Sequence, residues 1–279
     1  MNDSMEARAL YDLHAHTTAS DGRLSPRELV RVAKSSGLRA FAITDHDTVD
    51  GIPEAMEEAA AQGVELIPGV EVSANFETAS VHVLGLFIEY REPWLLRFFS
   101  EARVRRIERV HEMVRKLRGL GIEIDAESVF ARSTHGTVGR PHVAEELLAR
   151  GVVSSLAEAF QLYLGQDRPA YVGYEKVTLR DAVELIRRAG GIASLAHPVL
   201  LADDTLIPRM VDDEIQALEV FHKDHTPEKA AEYQSLAGTL GLLSTGGSDF
   251  HRSEDGEAPT LGCPGLTEEA FERLRASAR

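Results

Sequence analysis

Two rhythms of apolar positions alternate over the first ninety or so residues. Short apolar runs of strand length, Leu10–Leu13, Ala40–Thr44, Glu65–Val70 and Ser80–Leu84, come between stretches whose apolar side chains return every three or four residues. The first of those stretches opens on Ser25-Pro26-Arg27-Glu28: a Ser cap, Pro at the first helical position and Glu at the third. It carries Leu29, Val30, Val32 and Ala33 at helical spacing and stops at Gly37. A second helix is predicted from Gly51 to Ala61, closed by Gly63. Strand alternating with helix predicts a parallel α/β sheet or barrel.

The rhythm breaks at Trp94. One long helix is predicted from there to about Leu120, with Phe99, Ile107, Val110, Val114 and Leu117 along one side. Its outer face is basic, with Arg97, Arg103, Arg105, Arg106, Arg109, Arg115, Lys116 and Arg118 set against Glu101, Glu108 and Glu112. Further helices are predicted at Ala126–Ala131, Pro141–Arg150 and Leu156–Leu164, the last opened by the capping box Ser155-Leu-Ala-Glu158. No strand signal stands out between residues 95 and 168, so this stretch reads as a helical insertion. The α/β pattern resumes with a helix from Thr178 to Ala189. Strands Ile192–Ala196, Ala217–Phe221 and Leu242–Thr245 follow, with helices from Thr226 and Thr267. The expected organisation is a discontinuous barrel, residues 1–94 and 169–279, with residues 95–168 as a helical insertion capping its open end.

Composition narrows the functional classes without naming one. A chain of 279 residues, 43% hydrophobic and 27% charged, can bury the core of one large α/β domain with an insertion. A net charge of −15 argues against a nucleic-acid-coating or membrane-surface protein. An anionic substrate stays open, because bound divalent cations invert the field locally. The single cysteine, Cys263, excludes an intramolecular disulfide and any Cys-based zinc site. The N-terminus lacks a basic-then-apolar signal and no apolar run approaches about 18 residues, so a cytoplasmic protein is expected.

The candidate chemistry sits where strands end. His14 and His16 lie two residues apart, a spacing that points both imidazoles to one side of an extended chain, and Asp21 follows. An isolated His-x-His is more often a pair of surface histidines, but here the pattern recurs. Of eleven histidines, His14, His16, His46, His82, His197, His222 and His251 fall in or at the end of a predicted strand, as do Glu71 and Asp249. In parallel α/β folds the C-terminal strand ends form one rim, whose side chains converge on one cavity. The set offers more nitrogen and carboxylate donors than one tetrahedral ion can use, which implies two or more ions. Mixed His and carboxylate donors without thiolate suit Mn, Fe or Zn. Asp45 and Asp47, flanking His46, either orient the imidazoles or form an acidic solvated loop.

The same residues carry a resemblance. His14-x-His16 with Asp21, Thr44-Asp-His46-Asp, Gly69-Val-Glu71, Val81-His82-Val-Leu-Gly85, Arg140-Pro-His142, Ala196-His197-Pro198 and Ser248-Asp249-Phe-His251 resemble, in order, the motif set of the PHP (polymerase and histidinol phosphatase) family. The resemblance implies a distorted (β/α)7 TIM-like barrel related to the amidohydrolases, with a trinuclear metal site and phosphoesterase activity. It implies one ion on His14, His16, Glu71 and Asp249, a second on Glu71, His82 and His142, and a third on Asp21, His46 and His251. Manganese is the first expectation. A hydroxide held between two ions would be the nucleophile, and Arg140 would neutralise phosphoryl oxygens. His197 is the candidate general acid or phosphate donor, with the alternative that it only caps its strand. His222, Lys176 and Lys223 are weaker candidates for a second anionic group. His142 lies in the insertion, so its role as a ligand requires the insertion to fold over the cavity.

The insertion, Asp21 and Gly-Arg-Pro-His are most similar to the nucleotide-directed branch of the family. A nucleoside 3′,5′-bisphosphate or AMP phosphatase is therefore expected. The alternatives, in order, are a 5′→3′ exoribonuclease on short 5′-phosphorylated RNA, a histidinol phosphatase and a non-enzymatic metal-binding module. No expected ligand position is replaced, which disfavours the last. The basic face around Arg103–Arg109 either guides nucleotides or RNA, or is a solvated face paired to an acidic barrel, the commoner arrangement. No stable protein partner is evident.

Overall fold

The computed structural model describes residues 10–133, 138–173, 177–201, 203–251 and 260–278. Strands β1 (Tyr11–Asp12), β2 (Ala40–Ile43) and β3 (Glu65–Phe76) lie side by side and parallel. Helices α1 (Pro26–Ser35) and α2 (Ile52–Gln62) form the two crossovers. Ser25 caps α1 by accepting the Glu28 N–H, and the Glu28 carboxylate accepts the Ser25 N–H at 2.8 Å. Leu29, Val30 and Ala33 on the inner face of α1 are buried with Phe41, Ile43 and Ala55.

The regular alternation ends earlier than the apolar pattern indicates. β3 runs past Val70 to Phe76, turns at Glu77 in the left-handed region (φ 53°), and returns as β4 (Ala79–Leu86). The pair is antiparallel from Gly69 opposite Leu86 to Phe76 opposite Ala79. Only Glu77 and Thr78 join the two strands, too few residues for the crossover that parallel pairing needs. β5 (Val177–Thr178) adds beside Ala74 and Asn75 of β3. β6 (Ile192–Leu195) pairs antiparallel with β4, and β7 (Ala217–Phe221) and β8 (Leu243–Gly246) continue in parallel. The Leu13 N–H then donates to the Gly246 carbonyl at 3.0 Å, so the seven strands other than β5 nearly close into a barrel.

Helix α3 (Pro93–Gly119) leaves β4 and, at 27 residues, extends about 40 Å. Its first turns belong to the barrel, since Leu95 and Phe99 pack with Val183 and Ile186. Its second half belongs to a separate cluster: Val110, Met113, Val114 and Leu117 pack with Val143, Leu147 and Leu164. That cluster is built with α4 (Ala126–Phe130), α5 (Arg140–Ala149) and α6 (Leu156–Ala159), the last continued by a π-helical turn over Phe160–Leu164. Around the barrel lie α7 (Leu179–Arg188), α8 (Ile207–Met210), α9 (Pro227–Leu240) and α10 (Glu268–Ser277). Among the described residues no helix is long and apolar enough to cross a membrane.

Candidate metal centre

Turns at the barrel rim place the donors. Asp47 (φ 50°), His197 (φ 27°) and Asp249 (φ 47°) are in the left-handed region, which Asp and His tolerate better than most residues. Such backbone costs about 1–3 kcal/mol per residue and persists only where its surroundings over-determine it. Two glycines allow the rim to close. A Cβ on Gly247 would lie 2.4 Å from the His14 nitrogen, and one on Gly22 would lie 2.4 Å from the His16 carbonyl oxygen. β4 runs against the other strands, so His82 reaches the rim from the first half of its strand rather than from a C-terminal end.

Glu71 is the hub. Its Oε2 lies 3.4 Å from His14 Nε2, 3.2 Å from His16 Nε2 and 3.0 Å from His46 Nδ1. Its Oε1 lies 2.7 Å from His82 Nδ1 and 3.0 Å from His197 Nε2. Asp249 Oδ1 stands 3.3 Å from His14 Nε2 and 3.2 Å from His16 Nε2. Asp21 gathers the far side, 3.3 Å from His251 Nε2 and 3.7 Å from His46 Nε2. Donor atoms of His14, His16 and Glu71, of His46, Glu71 and His82, and of His16, Asp21, His46 and His251 form groups within 4.8 Å. His14, His222 and Asp249 form a fourth.

These spacings suit ions better than hydrogen bonds. Two donors each about 2.1 Å from one ion, at tetrahedral or octahedral angles, are about 3.0–3.4 Å apart. The Nε2 atoms of His14 and His16, His46 Nδ1 and Glu71 Oε2 are buried with no hydrogen-bond partner, a costly arrangement unless a cation completes it. Burial alone would push Glu71, Asp249 and Asp21 up, but the surrounding imidazoles outweigh it and hold all three well below the usual carboxylate range. In return Asp249 and Glu71 overcome the burial of His16 and push it up to about 10. Burial wins at His46, which is pushed down to about 3. Carboxylates that draw protons onto imidazoles this strongly are suited to replacing those protons with divalent cations.

The helical segment supplies the opposite wall. A cavity of about 140 Å³ is lined by Asp21, His46 and His82 from the barrel and by Arg106, Arg109, Arg140 and His142 from the helices. Arg140 lies 5.8 Å from the ring centres of both Phe160 and Tyr171. His142 is buried and shares the cavity, but lies outside the four tight donor groups, and its Nδ1 accepts the Gly139 N–H at 3.2 Å. His222 is buried with Nε2 3.4 Å from Asp249, and Lys223 Nζ donates to Asp249 Oδ2 at 2.8 Å. Both residues contact a site carboxylate. Lys176 lies outside the described residues.

Several functional-looking residues carry weak sequence signals. Arg106 and Arg109 do not join a uniform outer face of α3: both line the cavity, and buried Arg106 pairs with Asp47 and donates to Ser73 Oγ. Their neighbours diverge as well, with Arg103 near Asp50 and Lys116 donating to the Tyr171 carbonyl. Asp45 and Asp47 are both buried. Asp45 accepts from the Thr17 N–H and from Ser20 Oγ, which lies 3.4 Å from His16 Nδ1. Glu219, a single charged residue inside the apolar strand β7, is fully buried 3.0 Å from His14 Nδ1. Asp12, inside β1, accepts from the Ser248 hydroxyl and the Gly262 N–H, each at 2.6 Å. A lone carboxylate within a strand was the available signal for both acids.

The profile of the PHP domain matches residues 12–151. The chain is 35% identical over 259 residues to the 5′-3′ exoribonuclease Rnm of Escherichia coli strain K12, covering 90% of this chain and 88% of that protein. It is 34% identical over 252 residues to a 3′,5′-nucleoside bisphosphate phosphatase of Chromobacterium violaceum, covering 88% of each. A crystal structure from Bifidobacterium adolescentis, described as that of a metal-dependent phosphoesterase, superposes with a TM-score of 0.85 at 31% identity, covering 95% of both chains.

Proposed function

The chain belongs to the PHP family, and on that premise we propose that it is a metal-dependent phosphoesterase releasing phosphate from a small nucleotide, with a nucleoside 3′,5′-bisphosphate as the leading substrate. One observation carries this reading. Buried imidazole nitrogens and a Glu71 oxygen without hydrogen-bond partners converge on one rim, and arginines from the helices face them across a small cavity. His14, His16, Glu71 and Asp249 would hold one ion. Glu71, His82 and His142 would hold a second, and Asp21, His46 and His251 would hold a third. Manganese is the proposed metal. Such ions supply an activated water at neutral pH and neutralise the phosphoryl oxygens.

The protein's own residues bind and orient. Arg140, braced between Phe160 and Tyr171, is placed to take a phosphoryl oxygen with its fork of donors. His197, with Nε2 at the rim 3.0 Å from Glu71 Oε1, is the candidate donor of a proton to the leaving oxygen. A cavity of about 140 Å³ admits a phosphoryl group and leaves the nucleoside in the open mouth. The same geometry supports a second reading, 5′→3′ trimming of short RNA, because a terminal phosphate could enter while the chain stays outside. The 35% identity to an exoribonuclease favours keeping it.

Phosphate release from adenosine 3′,5′-bisphosphate, AMP, histidinol phosphate and a 5′-phosphorylated oligonucleotide, each with added manganese, separates these readings. The bisphosphate is expected to turn over fastest. Mononucleotide release from the oligonucleotide at a higher rate would replace the first reading with the second. Preference for histidinol phosphate would displace both, and silence on all four would leave a metal-binding module.

A further inference from the structure

We propose that Glu219 is the positioning residue that decides which nitrogen His14 offers to a metal ion and that holds the turn carrying His197. The inference rests on the metal-centre reading above. Glu219 points inward from β7, fully buried, and divides its oxygens between two partners. Its Oε1 lies 3.0 Å from His14 Nδ1, and its Oε2 accepts the His197 N–H at 2.6 Å. A carboxylate only accepts, so Nδ1 of His14 must carry the proton. The lone pair of Nε2 is left facing Glu71 and Asp249.

The neighbouring ring shows the opposite arrangement. His222 Nδ1 accepts the Asp224 N–H at 3.2 Å, so the proton of the neutral ring sits on Nε2, 3.4 Å from Asp249 Oδ2. Two imidazoles flank one carboxylate, and their outer partners give them different roles. The second oxygen of Glu219 acts on backbone. His197 sits at φ 27°, an unfavourable conformation that a charge-assisted hydrogen bond to its N–H offsets, and its Nε2 then lies 3.0 Å from Glu71 Oε1. One buried carboxylate thus orients side chains that arrive from β1 and β6.

Glu219→Gln separates these roles from mere filling of space. The amide has one accepting atom where two donors face it, so its NH₂ must oppose either His14 Nδ1 or the His197 N–H. The test is zinc titration of the whole chain, wild type and Glu219→Gln, followed by calorimetry and by zinc-to-protein ratio after desalting, with thermal melting of chelator-treated protein alongside. The expected result is a variant that still melts cooperatively without metal but binds its tightest zinc about 10–100-fold more weakly. Equal zinc affinity in the two proteins overturns the inference and leaves the metal centre standing. A wild type that takes up no zinc overturns both. If the variant does not fold, long-range proton–nitrogen NMR of zinc-loaded wild type decides the question. Nδ1 protonated and Nε2 bound at His14 is expected, and Nδ1 bound overturns the proposal.

Discussion

Removing the guanidinium of Arg106 tests how the helical segment is held over the barrel. Arg106 is buried, and its Nε and a terminal nitrogen both meet Asp47 Oδ2, with a further bond to Ser73 Oγ at 3.1 Å. Arg106→Met keeps most of the side-chain length and leaves Asp47 a buried carboxylate whose remaining donor is the Ser73 N–H at 2.8 Å. Breaking a buried pair by deleting one partner costs about 3–5 kcal/mol, and the surviving donor places this case near the lower end. An unfolding entropy of about 2.1 cal/mol/K per residue converts about 3 kcal/mol into a Tm loss of about 5 °C for a chain of this length. The double variant Arg106→Met/Asp47→Asn should recover more than half of that loss, since an amide needs no counter-charge and still accepts from Ser73. Calorimetry on chelator-treated protein reads both values. A single variant within about 1 °C of wild type, or a double variant no better than the single, would refute the reasoning that this pair fastens α3 to the rim.

Other outcomes follow from the same geometry. Arg140→Ala should raise KM for a nucleotide substrate by about 10–100-fold, the worth of a charge-assisted bond, with metal content unchanged; an unchanged KM would remove Arg140 from the phosphate site. Gly247→Ala places a Cβ against the His14 backbone and should cost several degrees of Tm together with bound metal, and a variant indistinguishable from wild type in both would contradict the close approach. Burial pushes buried Glu146 up, but Arg150 and Arg132 outweigh it, so its folded pKa lies below the ordinary 4.5. A depressed folded pKa gives stability that is present above the ordinary value and lost as pH falls through the folded one. The Tm gap between wild type and Glu146→Gln should therefore be full at pH 7 and narrow progressively as pH falls below 4.5, and a gap that widens in acid would reverse the assignment.

What the sequence made legible was local. His14, His16, His46, Asp249 and His251 stand just past strand ends because turn residues and apolar runs mark those ends within a few positions, whereas Glu71, expected at an end, lies inside β3. The β3–β4 hairpin was harder to read, since Glu65–Val70 and Ser80–Leu84 appear as separate strands until Ala74 and Phe76 are seen to continue the first. Arg106 misleads in another way. It falls on the same stripe as Ala102, Val110 and Met113, which are buried on α3, yet a charge on a helix ordinarily indicates solvent. Asp47, across a fold-dependent contact, reverses that inference. Glu219 and Asp12 depend on partners more than 200 residues away in sequence, His14 for one and Ser248 and Gly262 for the other, so no window along the chain reveals what they hold.

The proposed metal centre requires cations gathered by one rim. Anomalous diffraction from crystals grown with manganese locates them directly. We predict anomalous density bounded by His14, His16, Glu71 and Asp249, with further density beside His82 and between Asp21, His46 and His251. Crystals of manganese-treated protein with no anomalous signal among these residues would contradict it.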